Sequence, residues 1–169
     1  VVQTGASLLR LRRFEDLGYV GPAANVAVSA FRDAELTLAG GQSEFGGAVA
    51  VAGQTAGRLT QWGAGTTTTA SGPVRVVGGA AEAVLDVGGD TWTAKGTTTV
   101  TSPGRAAVGV AASTLGRLEG NVTVQGGSGF DEVTATGTTR FLRDLWVNLG
   151  TGGGRVALEP GATVGGALA

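Results

Sequence analysis

Apolar and polar residues alternate along this chain in short runs. Val74/Val76, Thr98/Val100, Val122/Val124 and Leu145/Val147 place like residues at every second position, the period of a half-buried strand. The runs recur. Equal blocks open at Gly72, Gly96 and Gly120, a spacing of 24: "GPVRVVGGAAEAVLDVGGDTWTAK", "GTTTVTSPGRAAVGVAASTLGRLE" and "GNVTVQGGSGFDEVTATGTTRFLR". A slightly shorter block opens at Asp144. Each carries a glycine-bearing turn and a second strand around Val84, Val108, Val133 or Val156. A third apolar element follows, with Ala70, Ala94, Leu118 and Leu142 spaced 24 apart. Earlier residues repeat this less regularly, through Leu36/Leu38, Phe45 and Val49/Val51.

Three short strands per block, joined by turns of Gly, Asn, Asp and Ser, predict an all-β parallel solenoid of six or seven coils. Successive coils lie about 4.8 Å apart, so equivalent residues stack. The general preference for right-handed parallel crossovers predicts a right-handed β-helix. Inward positions are small or branched apolar residues, and glycine is expected where the turns need positive φ. A β-sandwich is the alternative, but a sandwich does not return the same residue class every 24 positions. Residues 24–169 read as solenoid. Residues 1–23 are either a terminal cap or a first coil. Leu8, Leu11, Phe14 and Leu17 have helical spacing between Ser7 and Gly18, yet the same stretch also reads as a strand and turn.

Charge supplies a test of the period. Residues one period apart should be neighbours, where opposite charges are tolerated and like charges are not. Lys95, Glu119 and Arg143 form such a column, and Arg58/Glu82 and Asp131/Arg155 form pairs. Composition narrows the function. A net charge of −1 gives no electrostatic case for nucleic acid or an anionic membrane. No apolar run approaches the ~20 residues of a membrane-spanning helix. The chain has no Cys, so disulfides and thiolate metal sites are excluded, and no His, which removes the usual general base. It has no Met, so Val1 is not a translation start and a processed product or excised segment is expected. Arginine outnumbers lysine eleven to one, which reads as the preference of a high-GC genome.

"GGSGFDEVT" at 126–134 resembles the calcium-binding nonapeptide of RTX repeats, G-G-x-G-x-D-x-U-x. The resemblance implies Asp131 as a calcium ligand. RTX sites draw on adjoining tandem copies of the nonapeptide, and here there is one. The counterparts carry Gly154 and Ala83 where the Asp would stand, and Arg155 is expected to stack on Asp131. A structural glycine turn is therefore the expectation, with no required cofactor and calcium as the one candidate. The wider pattern, "LEGNVTVQGGSGFDEVT" and "LRDLWVNLGTGGGRVAL", resembles the repeats of large secreted bacterial β-helix proteins, adhesins and autotransporter passengers. That resemblance implies an extracellular or cell-surface location and a structural or adhesive role.

Other chemistries are weighed on the same columns. Thr67/Thr69 and Thr91/Thr93 resemble the T-x-T face of ice-binding solenoids. The rows before and after, read at a spacing of 24 as Ser43/Phe45 and Leu115/Arg117, limit this to two rungs. Glycan binding needs aligned aromatics. Trp62, Trp92 and Trp146 share no column; Trp146 should face outward and Trp92 reads as core. Glu82, Asp86, Asp90, Asp131 and Glu132 place no two acids in one column, so no acid–base pair for polysaccharide cleavage is visible and the chain is not expected to be an enzyme. The expected function is a structural or adhesive solenoid segment. A carbohydrate-binding or polysaccharide-processing β-helix is the runner-up, and an end-to-end filament subunit the second alternative. Val164, Gly166 and Leu168 resemble the start of another coil, which predicts either a longer parent solenoid or head-to-tail self-association. Arg10, Arg12, Arg13, Glu15 and Asp16 would form a charged gate at the opposite end.

Overall fold

The computed structural model describes residues 25–169 throughout, preceded by the strands Val2–Gln3 and Leu8–Leu11. Among the described residues there is no helix. The chain winds as a β-solenoid of about six turns with ~24 residues per turn; from Val26 onward each turn contributes one strand to each of three parallel sheets, and Val2–Gln3 and Leu8–Leu11 extend the first two. The first sheet stacks Val2–Gln3, Val26–Ala30, Val49–Gly53, Val74–Val77, Thr98–Thr101, Val122–Gln125 and Leu145–Asn148. The second stacks Leu8–Leu11, Asp33–Ala39, Ala56–Trp62, Glu82–Val87, Arg105–Val110, Asp131–Ala135 and Gly154–Leu158. The third stacks Gln42–Phe45, Thr67–Ala70, Thr91–Ala94, Leu115–Leu118, Thr139–Phe141 and Thr163–Val164. Leu8–Leu11 pairs with Asp33–Leu36 as a strand. Ser7, Phe14, Leu17 and Gly18 lie outside the described residues, as do the side chains of the proposed charged gate.

The core is built from columns. Val28, Val51, Val76, Val100 and Val124 stack through the first sheet, and Leu36, Leu59, Leu85, Val108 and Val133 through the second. All are buried. Each such side chain contributes about 1.5–3 kcal/mol by leaving water. Leu85, not Val84, holds the core position opposite Val108. Volume is balanced between coils of the third sheet. Trp92 is fully buried and pairs in register with Gly116, where a Cβ would stand 2.7 Å from Val110 Cγ1.

The coil length is not constant. The step from Val26 to its partner Val49 is one short of the period, and the step from Ala56 to its partner Glu82 is two over it; the corners absorb the difference. Several columns read at a fixed spacing are therefore corrected. Phe141, not Leu142, is the core partner of Leu118, and Leu142 is exposed. The row before Thr67/Thr69 is Gln42/Glu44 rather than Ser43/Phe45, while Leu115/Arg117 follows Thr91/Thr93 as read. The corner glycines serve two different needs. Gly72, Gly96 and Gly120 stack at one corner for want of space rather than for positive φ: a Cβ at Gly120 would stand 2.4 Å from the Gly96 carbonyl oxygen. Positive φ is confined to nine glycines among the described residues, such as Gly40 (74°) and Gly63 (97°) at the corner between the second and third sheets.

Candidate functional site

The outer wall of the second sheet gathers most of the polar chemistry. Strand residues alternate inward and outward, so an inward leucine column places Glu35, Thr37, Arg58, Thr60, Asp86 and Glu132 outside. Two features result: a ladder of ion pairs and a cleft.

The ladder crosses five coils. Arg58 Nε donates to Glu82 Oε1 at 2.7 Å, and Arg105 Nη1 reaches Glu82 Oε2 at 3.1 Å. Arg105 Nη2 lies 3.4 Å from Glu132 Oε2, and Arg155 Nε donates to Glu132 Oε1 at 2.8 Å. Signs alternate without a break, Arg–Glu–Arg–Glu–Arg. The charges zigzag between two adjacent outward columns: Glu82 is opposite Arg105, and Glu132 is opposite Arg155. Partial burial pulls the Glu82 carboxyl up, but hydrogen bonds and charge from Arg58 and then Arg105 outweigh this and hold it below its ordinary value of 4.5.

This geometry corrects two of the expected charge columns. Arg58 and Glu82 do meet, diagonally. Arg155 meets Glu132, not Asp131, because the step between those coils is one short of the expected spacing. The Glu119 amide bonds the Ala94 carbonyl, which sets it beside Lys95, but Leu142 donates to the Leu118 carbonyl and so takes the place expected for Arg143. The ion partner of Glu119 is Arg117, two residues before it, at 3.0 Å. Two like charges also share a register, because the same shortening makes Arg117 and Arg140 partners in the ladder.

Asp131 lies inside the solenoid, fully buried, one place before Glu132, which stands opposite Ala107. Its Oδ1 accepts the Ala106 amide at 2.7 Å, while Oδ2 has no partner and presses against Gly126, where a Cβ would stand 1.7 Å away. Calcium takes six to eight oxygen ligands. Here the carbonyls of Pro103, Gly104, Gly127 and Gly153 accept amides of neighbouring coils, and no group of three or more acidic side chains forms among the described residues. This donor set does not fit calcium. It fits a glycine turn fastened from within by a carboxylate.

The cleft, of about 740 Å³, lies on the outer wall of the second sheet. Thr37, Thr60 and Asp86 stack through its floor, and Gly109 and Thr134 continue the same column beyond it. Trp62 stands at its edge with 60% of its surface exposed. The Asp86 carboxylate leans over Gly109, where a Cβ would stand 2.8 Å from Oδ1. Trp146 is also exposed, on the first sheet beside Thr123, far along the chain from Trp62. Sequence reasoning named Trp62 and Asp86 separately and did not bring them together. Asp86 meets Thr60 across the longest of the steps between coils, so no fixed spacing connects them. Comparison with protein families, curated proteins and solved structures finds no match, and the functional reading rests on this geometry.

Proposed function

We propose that this chain is a structural and adhesive β-solenoid of a secreted or surface-attached protein, without catalytic activity. One observation carries the reading. Phe31, Trp62, Phe130 and Trp146 are all between 52% and 64% exposed, on a molecule whose backbone is otherwise fixed by stacked coils. Exposed aromatics offer large apolar area at low entropic cost, which suits contact with other surfaces. The ion-pair ladder supports the same reading, because it ties five coils together on the outside where no core packing reaches.

The test replaces the four aromatics with serine and measures retention of purified protein on cell-wall-coated and protein-coated sensors. The wild type is expected to be retained and the variant to wash off, with unchanged thermal melts. Equal retention of the two proteins overturns the adhesive reading.

A further inference from the structure

The hydrogen bonds in the Trp62 cleft have a defined direction. Thr37 donates its only hydroxyl proton to Glu35 Oε1 at 3.0 Å. Its oxygen lies 3.1 Å from the Thr60 hydroxyl, so Thr60 must be the donor of that second bond. The Thr60 oxygen is left with acceptor capacity alone. Asp86, its register partner, is a carboxylate with no hydrogen bond or ion pair among the described residues, and it too can only accept. Gln61 turns inward and spends its amide protons on the Gly88 and Thr91 carbonyls. The nearest cation of the same strand, Arg58, is engaged by Glu82. Among the described residues the cleft thus offers acceptors at Thr60 and Asp86, and the negative charge of Asp86, beside an exposed indole.

A complementary ligand is donor-rich, positively charged, and has one apolar face. We propose that the cleft binds a saccharide bearing free amino groups, of the glucosamine class. The axial face of the pyranose ring stacks on Trp62. Its ammonium meets the Asp86 carboxylate as a charge-assisted hydrogen bond. Its hydroxyls donate to Thr60. The three coils of the cleft span about 10 Å, and its volume lies within the range of about 300–1,000 Å³ usual for small-ligand sites. A uronic acid would bring a carboxylate against Asp86, and N-acetylation would remove the charge. The inference rests on the adhesive reading and narrows it to one cleft and one ligand class.

Calorimetry on the intact chain tests it, with trimers of glucosamine, N-acetylglucosamine, glucose and galacturonate, and with propylammonium alone. The glucosamine trimer is expected to bind more tightly than all others, and more weakly as salt is added. Asp86→Asn should weaken it about tenfold or more, the size expected for one lost charge-assisted bond. Trp62→Ala should abolish measurable binding, with both variants melting as the wild type does. Tight binding of the uronate, no change in Asp86→Asn, or failure of the glucosamine trimer to bind each overturns the assignment. Propylammonium binding as tightly as the trimer overturns its saccharide part. If no saccharide binds while the serine variant still loses retention, this inference falls and the adhesive reading stands.

Discussion

Asp131 shows how one residue decides between a site and a scaffold. Its carboxylate occupies a core column that elsewhere holds Ala34, Gly57, Ala83 and Ala106, and it is tolerated because the Ala106 amide needs an acceptor there. Removing it leaves that amide buried without a partner, which costs about 1–3 kcal/mol. Asp131→Ala is therefore expected to lower urea stability by that amount. Asp131→Asn keeps an oxygen facing Ala106 and should lose less than half as much. Melts with added calcium and with chelator should coincide, since the neighbouring carbonyls are engaged by backbone amides. A stable Asp131→Ala variant, or a calcium-dependent melt, would contradict this account. The close-packed glycines of 126–129 were legible in the sequence. The direction of the carboxylate was not. Strand parity fixes it only once Ala107 is known to pair with Glu132, and that pairing depends on how the corner of residues 126–130 packs.

At the scale of the strand, the informative contacts are those between outward residues of successive coils. Glu82 receives two arginines, one from the coil on either side. Such pairs are partly exposed and individually contribute about 0–1 kcal/mol, so their value lies in being linked. Because the folded-state pKa of Glu82 is depressed, its contribution is present above the unfolded value and is lost as pH falls through the folded one. The stability present at neutral pH should thus decline on acidification below about 4.5. Glu82→Gln should be less stable than the wild type at pH 7 by about 1 kcal/mol, with the two converging in acid. Parallel curves across the whole range would remove the ladder from the stability of the fold. The strands themselves were plain in the sequence, because alternation at Val74/Val76 or Val122/Val124 has a physical period of two. Their stacking was plain where the step between coils equals the period, as for Thr67/Thr91 and Thr69/Thr93. It was misread where corners add or drop residues, at Leu142, Arg143 and Arg155. Backbone packing among glycines sets corner length, and no periodic signal reports it.

At the scale of the molecule, a solenoid is quasi-one-dimensional: each coil touches its neighbours, and stability is close to a sum of coil and interface terms. Deleting whole coils should then preserve the fold, and the alternating ladder makes the outcome depend on parity. Removing residues 96–119 deletes Arg105 and joins Lys95 to Gly120, whose stacked predecessor Gly96 is removed with the coil. Glu82 then takes the position of Arg105, its register partner, against Glu132. The ladder reads Arg–Glu–Glu–Arg, with one like-charge contact where there had been an attractive one. Removing residues 72–119 deletes Glu82 and Arg105 together, so that Arg58 faces Glu132 and the signs alternate again. Both deletions keep the valine and leucine columns continuous, so core packing alone makes the second variant lose about twice what the first loses. The charges change that ratio: the one-coil deletion should lose more than half of the two-coil loss. Glu82→Gln supplies the discriminating measurement. In the full chain it breaks two attractions and should destabilise. In the one-coil deletion it breaks one attraction and relieves one repulsion of similar size, about 0.2–1 kcal/mol each, so urea midpoints with and without it should agree. An equal loss in both backgrounds would mean that Glu82 acts through Arg58 alone and that the five charges do not form a ladder. A one-coil deletion that fails to fold, beside a two-coil deletion that does fold, would mean that charge alternation rather than core continuity limits how these coils join.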